Sequence, residues 1–217
     1  VAALAAVQIQ SLSTAQIASM GTDQLRTLTT AHIVAMTSAQ VAALTTEQLV
    51  ALQNPDLAAM SAAQIASIAV GKITALETQQ IVALTSAQVA GMTTAQIAAL
   101  ETHQIAAIET LDIRALTSAQ VAALTTEQAQ ALTAAQVAAL ETADLRALST
   151  SAFGTFSSEQ LAALTTAQTA GLTTGQLRAL STEQITQLDN ADVAALTTAQ
   201  LITLTTDQVA ALTSDQI

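Results

Sequence analysis

Apolar side chains recur along this chain with a strict period of eight residues. When octads are numbered from Val1, position 4 is apolar in all 27 octads and is Leu in 20 of them. Position 1 is Val, Ile or Leu except at Ala129, Phe153 and Thr169. A fixed short period without insertions is typical of a solenoid or a repeat array rather than a globular domain.

The spacing of these two apolar positions predicts helix. Residues three apart lie on one face of a helix, whereas in a strand they point to opposite faces. One continuous helix is excluded, because eight residues at about 100° each overshoot two turns by roughly 80°, and the apolar stripe would wind around the helix. Each octad must therefore interrupt its own helix.

The interruption is expected at positions 5 and 6, which are rich in hydroxyl side chains. Position 6 is Thr, Ser or Asn in 23 octads, and position 5 is Thr or Ser in 18. Such side chains accept hydrogen bonds from the free amides at a helix start. We favour position 6 as the N-cap, with Asn54 capping a helix whose first residue is Pro55. The alternative is a capping box between position 5 and the residue at position 8.

The sequence thus predicts an all-α fold, a solenoid of very short helices with one helix per eight-residue repeat. Each helix would have about six residues and a length of roughly 9 Å, too short to be stable without its neighbours. Position 3 is Ala in 18 octads, which indicates close approach of an adjacent helix. We expect three or four octads per coil and one continuous solenoid over residues 1–217, as a fragment of a longer array.

Position 8 is Gln in 20 octads and lies beside the apolar stripe. Because a half-buried amide needs hydrogen-bond partners, this Gln is expected to bond to turn backbone or to a Gln of a neighbouring coil. Aspartate replaces it in four octads, which favours an N-terminal capping role there. These octads contain Asp56, Asp112, Asp144 and Asp192.

The composition argues against several classes of function. The net charge is −11 and only five residues are Lys or Arg, which argues against binding nucleic acid or an anionic membrane surface. Without cysteine there are no disulfides and no thiol chemistry. No apolar run is long enough for a membrane span, and no signal peptide is visible.

No residue pattern indicates catalysis, a cofactor or a metal centre. His32 and His103 lie far apart in the sequence and are expected to be surface or capping residues. The acids lie at positions 5, 7 and 8 and the four Arg at position 2, which suits the helix dipole. For calcium the best local pairs are Asp112 with Glu109 and Asp144 with Glu141, but neither forms a calcium-loop motif. The chain is therefore not expected to be an enzyme.

Two octads depart from the pattern. The segment from Ala69 to Lys72 lacks a hydroxyl cap, and the octad after Ala152 carries both aromatic residues, Phe153 and Phe156. The simpler interpretation of the aromatic octad is that the two rings fill space in the core of a repeat whose sequence has diverged from the consensus. The alternative is that Phe153 and Phe156 form a partner-binding spot.

The consensus Leu-Thr-Thr-Ala-Gln-Val-Ala-Ala-Leu resembles the octads of very long, repetitive secreted proteobacterial proteins, which are labelled as large adhesins or haem-utilisation/adhesion proteins. The resemblance implies an extracellular or cell-surface stalk, spacer or filament segment, whose partners are adjoining repeats or neighbouring copies end to end, and other surface proteins. A protein-binding α-solenoid scaffold is the alternative. A Thr array that binds ice or another flat surface is a lesser one.

Overall fold

A computed structural model describes residues 3–217, and it is helical throughout, with no strand among these residues. The chain forms two compact units, unit 1 (Val1–Ala115) and unit 2 (Leu116–Ile217). Unit 1 contains helices α1–α14, at Ala6–Gln10, Thr14–Ala18, Thr22–Arg26, Thr30–Ala35, Ser38–Ala43, Thr46–Ala51, Asn54–Ala59, Ala62–Ala66, Val70–Ile73, Thr78–Val82, Ser86–Gly91, Thr94–Ala99, Thr102–Ala107 and Thr110–Ile113. Unit 2 contains α15–α26, at Ser118–Ala122, Thr126–Ala131, Ala134–Ala139, Thr142–Ala147, Thr150–Phe153, Ser158–Ala162, Thr166–Gly171, Thr174–Ala179, Thr182–Ile185, Asn190–Ala194, Thr198–Leu201 and Thr206–Ala211. The prediction of one very short helix per octad is confirmed.

The helix of each octad begins one residue earlier than we favoured. In α12 the N-cap is Thr93, at position 5, and its hydroxyl accepts a hydrogen bond from the Gln96 amide at 3.1 Å. In return, the Thr93 amide donates to Gln96 Oε1 at 2.9 Å. The capping box was therefore the correct alternative, and position 6 is the first helical residue. The box prevails because it satisfies two free amides, whereas a hydroxyl at position 6 would satisfy one.

The proline-containing octad shifts in the same way. Its N-cap is Gln53, so Asn54 is the first helical residue and Pro55 the second. Asn54 as N-cap and Pro55 as first residue was therefore wrong by one position. Proline fits here because the amide that it lacks would have no helical acceptor in the first turn.

The chain turns between helices with two extended residues rather than with a left-handed one. After α12, Leu100 has ψ of 142° and the next residue, Glu101, has ψ of 158°. No residue in the described range 3–217 has a positive φ. The turn therefore needs no glycine, and hydroxyl residues can fill it in octad after octad.

Within each unit, a helix packs mainly on the helix three places later. Unit 1 pairs α1 with α4 and α2 with α5, and unit 2 pairs α15 with α18 and α16 with α19. The contacts are close at position 3, where a Cβ added to Gly91 would lie 2.6 Å from the Ala62 Cβ. This confirms that position 3 is small because a neighbouring helix approaches it.

Side-chain hydrogen bonds fix the repeat of the coil. The amide of Gln40 reaches the carbonyl groups of Leu12 and Ile9, 28 and 31 residues earlier. Donor and acceptor are thus between three and four octads apart, because a Gln near the start of one helix bonds to the backbone at and beyond the end of a helix in the preceding coil. The core of each coil consists of positions 1, 4 and 8, as Val89, Met92 and Gln96 illustrate with exposures of 0%, 4% and 1%.

Candidate functional site

The most organised polar feature of the molecule is the buried side chain at position 8. Gln96 uses both ends of its amide, since Oε1 accepts from the N-cap of its own helix while Nε2 donates to the preceding coil. Nε2 lies 3.0 Å from the Ile65 carbonyl oxygen and 2.7 Å from that of Ile68. One side chain thus caps its own helix and the C-terminal end of another helix.

This arrangement recurs in both units with one register. The carbonyl that every such Gln reaches lies 28 residues earlier in the sequence. In unit 1 the donors include Gln40, Gln48, Gln64, Gln80, Gln88, Gln96 and Gln104. In unit 2 they include Gln160, Gln168, Gln176, Gln184, Gln200, Gln208 and Gln216. The expected bond to turn backbone is confirmed, and the second partner is a helix-end carbonyl rather than another Gln.

Two other residue types bond to the preceding coil from position 8, and His32 also caps its own helix. His32 is buried, its Nδ1 accepts from the Thr29 amide at 3.0 Å, and its Nε2 lies 2.8 Å from the Leu4 carbonyl oxygen. The prediction of a capping histidine is confirmed. Lys72 donates through Nζ to the carbonyl groups of Ala42 and Leu44, at 2.9 and 2.6 Å. Sequence reasoning missed this role of Lys72, although its place in the octad frame was the signal.

Aspartate at position 8 behaves differently. Asp56 accepts a hydrogen bond from Thr30 Oγ1 at 2.7 Å, and Asp112 accepts one from Ser86 Oγ at 2.6 Å. The donors lie at position 6 of the preceding coil, 26 residues earlier. The expected N-terminal capping role was wrong for these residues, because the cap lies at position 5 and the carboxylate faces the neighbouring coil.

The residues considered for metal binding do not converge. Asp144, like Asp112, accepts a hydroxyl hydrogen bond, here from Ser118 at 2.5 Å. Among residues 3–217, no group of three or more His, Asp or Glu side chains is arranged to hold a metal ion. His103 lies on the surface with Nδ1 3.3 Å from Glu101 Oε2, far in sequence from buried His32.

The aromatic octad lies inside unit 2. Phe153 and Phe156 are 0% and 2% exposed, with ring centroids 5.0 Å apart and planes inclined by 42°. Helix α19, which carries Phe153, packs on α16, which has Ala129 where most octads have a larger residue. This is the geometry of gap-filling. A partner could touch these rings only if the coil opened, and partner binding at Phe153 and Phe156 stays a prediction.

Thr169 breaks the apolar pattern at position 1, and its replacement by Val is expected to stabilise the protein. Its side chain is fully buried and Oγ1 has no hydrogen-bond partner. Because an unsatisfied buried hydroxyl costs about 1–3 kcal/mol, Thr169→Val should raise the free energy of unfolding by about 1–2 kcal/mol in urea titrations followed by circular dichroism.

The matched control is a hydroxyl that has a partner. Thr173 Oγ1 accepts from the Gln176 amide at 3.1 Å, so Thr173→Val should lower the free energy of unfolding by about 1 kcal/mol. Equal effects of the two substitutions would contradict the assignment of Thr169 as an unsatisfied group.

No helix within residues 3–217 combines the length and the apolar character needed to cross a bilayer. Comparison with known families gives one finding, a match to the ALTTAQ repeat over residues 17–54, 73–108, 105–142, 137–174 and 185–217. No curated protein matches the chain.

Proposed function

Since the chain belongs to the ALTTAQ repeat family, we propose that it is a structural repeat segment that serves as a stalk, spacer or filament of an extracellular bacterial protein. The observation that carries this proposal is the uniform register of the position 8 bonds. Gln48 in unit 1 and Gln168 in unit 2 each donate to carbonyl groups 28 and 31 residues earlier. Within each unit, octads with Gln at position 8 are thus bonded to the preceding coil in the same way.

Such a bonding pattern suits a spacer, because the array can become longer or shorter without any change in the sequence of the remaining octads. Each octad contacts only octads nearby in the sequence, as in other solenoids whose stability is a sum of repeat and neighbour terms. The bonds are buried, so water does not compete for them. An octad can therefore be added or lost while its neighbours keep their own contacts.

The proposed partners are adjoining repeats or neighbouring copies, placed end to end. Leu201 and Val209 occupy position 1 of the last coil and are 42% and 46% exposed, whereas Ile185 at the same position is fully buried. A further coil stacked there would cover this apolar surface.

An extracellular location and an adhesin-like parent protein are also part of the proposal. They are supported by the resemblance of the octads to those of very long secreted proteins. Cell fractionation with an antibody against the repeat tests the location. Recovery from the cytoplasm alone would refute it.

The spacer role is tested by duplication of residues 41–96 inside the chain. This segment is seven octads, or about two coils, so the inserted copy keeps the register of the position 8 bonds. Small-angle scattering should show the maximum dimension increasing by the same step for one and for two added copies. The helical circular dichroism per residue should stay constant.

The control insert has the same composition in scrambled order. It is expected to lose helical signal and to enlarge the molecule as a flexible loop would. If the ordered duplication leaves the maximum dimension unchanged while the mass increases, the spacer function is refuted. If length also rises with protein concentration, copies associate end to end, and a constant length would leave adjoining repeats as the partners.

A further inference from the structure

Where position 8 is Gln, Lys or His, the side chain places a nitrogen against a carbonyl of the preceding coil. Gln176 gives Nε2 to the Leu148 carbonyl at 3.1 Å, Lys72 gives Nζ to that of Leu44, and the Nε2 of His32 pairs with that of Leu4. These three side chains differ in size and charge, yet each reaches the carbonyl 28 residues earlier. At these octads the carbonyl can therefore be satisfied by any side chain that supplies a proton, and not by Gln alone.

Asp192 occupies position 8 of α24 and offers no such proton as a carboxylate. Its side chain is 1% exposed, and neither carboxylate oxygen has a hydrogen-bond partner among the described residues. The equivalent carbonyl of the preceding coil belongs to Leu164, which is itself 5% exposed. A carboxylate buried without a hydrogen-bond donor or a cation is costly.

The other aspartates at position 8 avoid this problem. Asp56 and Asp112 each accept a short hydroxyl hydrogen bond, from Thr30 and Ser86. The corresponding hydroxyl for Asp192 is that of Thr166, which lies near the carboxyl, as does the Asp189 backbone amide, but neither meets the geometry of a hydrogen bond. Asp192 is thus the one whose ionised form the described contacts leave without support.

No positive charge compensates Asp192. Helix α21, which packs against α24, carries no titratable side chain, and α20 carries only Glu159, which is exposed. On its own element, the exposed Asp189 adds a second negative charge. The basic residues of unit 2, Arg146 and Arg178, both lie on the surface. A bound cation would also need free space, whereas both Asp192 oxygens are enclosed by protein atoms.

We propose that Asp192 is held in the folded protein as a neutral carboxylic acid, which donates its proton to a backbone carbonyl of the preceding coil in place of the usual Gln amide. The last coils of unit 2 are then fastened more tightly in acid than at neutral pH. Unit 2 thereby contains a pH-sensitive junction within an otherwise uniform array.

The electrostatics agree in direction. Burial is the largest cause and raises the pKa of the Asp192 carboxyl above its ordinary value of 3.8; the charge of Asp189 adds to the increase, while the Thr166 hydroxyl and the Asp189 backbone amide oppose it. Because the folded-state pKa is raised, the stabilisation is fully present below the unfolded value near 3.8 and is lost as pH rises through the folded value. Above the folded-state pKa, each pKa unit between the folded and the unfolded state lowers the folding equilibrium constant about tenfold.

The test compares the wild-type protein with Asp192→Gln, which restores the common residue, and with Asp192→Asn. The thermal midpoint of each protein is measured between about pH 4 and pH 8. The wild-type midpoint should fall with rising pH relative to both variants, and Asp207→Asn, at an exposed site in the same unit, should follow the wild type. In ¹³C spectra of carboxyl-labelled protein, one aspartate signal should titrate above the rest and be missing from Asp192→Asn.

Two results would overturn the proposal. One is a difference between wild type and Asp192→Gln that does not change with pH. The other is a rise of the wild-type midpoint at neutral pH on addition of millimolar Ca²⁺ that Asp192→Gln does not show, because a cation rather than a proton would then fill the pocket.

Discussion

Phe153→Ala is expected to lower the free energy of unfolding by about 3–5 kcal/mol, the usual loss for a buried aromatic ring. The ring is fully buried and lies 5.0 Å from that of Phe156, and it directly follows Ala152, which stands at position 8 of the preceding octad where most octads have Gln. The cavity cannot be filled by neighbours, since the facing helix already carries the small Ala129. Urea titrations followed by circular dichroism measure the loss.

A rescue experiment separates gap-filling from any other role of the two rings. Replacing both Phe153 and Phe156 with Leu gives the common side chains at positions 1 and 4 but leaves the space beside Ala152 empty. Adding Ala152→Gln completes a standard octad and should recover most of the lost stability. If the double change to Leu alone costs nothing, the rings do not fill a gap, and the partner-binding hypothesis gains ground.

Gln96→Leu is expected to lower the free energy of unfolding by about 2–4 kcal/mol. The amide is 1% exposed and satisfies the Thr93 amide on one side and the carbonyls of Ile65 and Ile68 on the other. Leu fills the space but leaves these groups without partners, at about 1–3 kcal/mol for each that stays dry. Chemical unfolding of the full chain is the measurement.

Two further substitutions show which half of the amide matters. Gln96→Lys keeps a donor to the preceding coil, as Lys72 does, and should lose less stability than Gln96→Leu. Gln96→Glu keeps the acceptor but turns a carboxylate towards two carbonyl oxygens, and should lose more. Gln79→Leu, at an exposed position, should be neutral within about 0.5 kcal/mol. A large effect at Gln79 would show that any Gln-to-Leu change destabilises the repeat.

The local structure could be predicted from the sequence because an eight-residue period leaves few choices. Val89 and Met92 must share a face, and the helix must stop before the stripe drifts, so short helices follow from periodicity alone. The position of the N-cap was wrong by one residue because Thr93 and Thr94 are chemically equal candidates. Only the reciprocal bonds between Thr93 and Gln96 distinguish them.

The position 8 site was half predictable. That Gln must bond to turn backbone follows from its place near the apolar stripe. The other end of the amide reaches a helix terminus 28 residues earlier. This offset depends on how successive coils stack, which the sequence of a single octad does not determine. For the same reason, the donor role of Lys72 and the unpaired carboxyl oxygens of Asp192 follow only from the position of the preceding coil.

The sequence by itself determined the all-α class, one short helix per octad, and the side of each helix that is buried. These follow from bonds and apolar contacts within eight or nine residues. Tertiary structure alone decided the stacking of each helix on the one three places later, and which residue accepts from Gln40 or donates to Asp56. The reason is that a stagger of between three and four octads is set by packing volume between coils, where Gly91 meets Ala62 and Phe153 replaces smaller residues. Such contacts join residues that no local pattern relates.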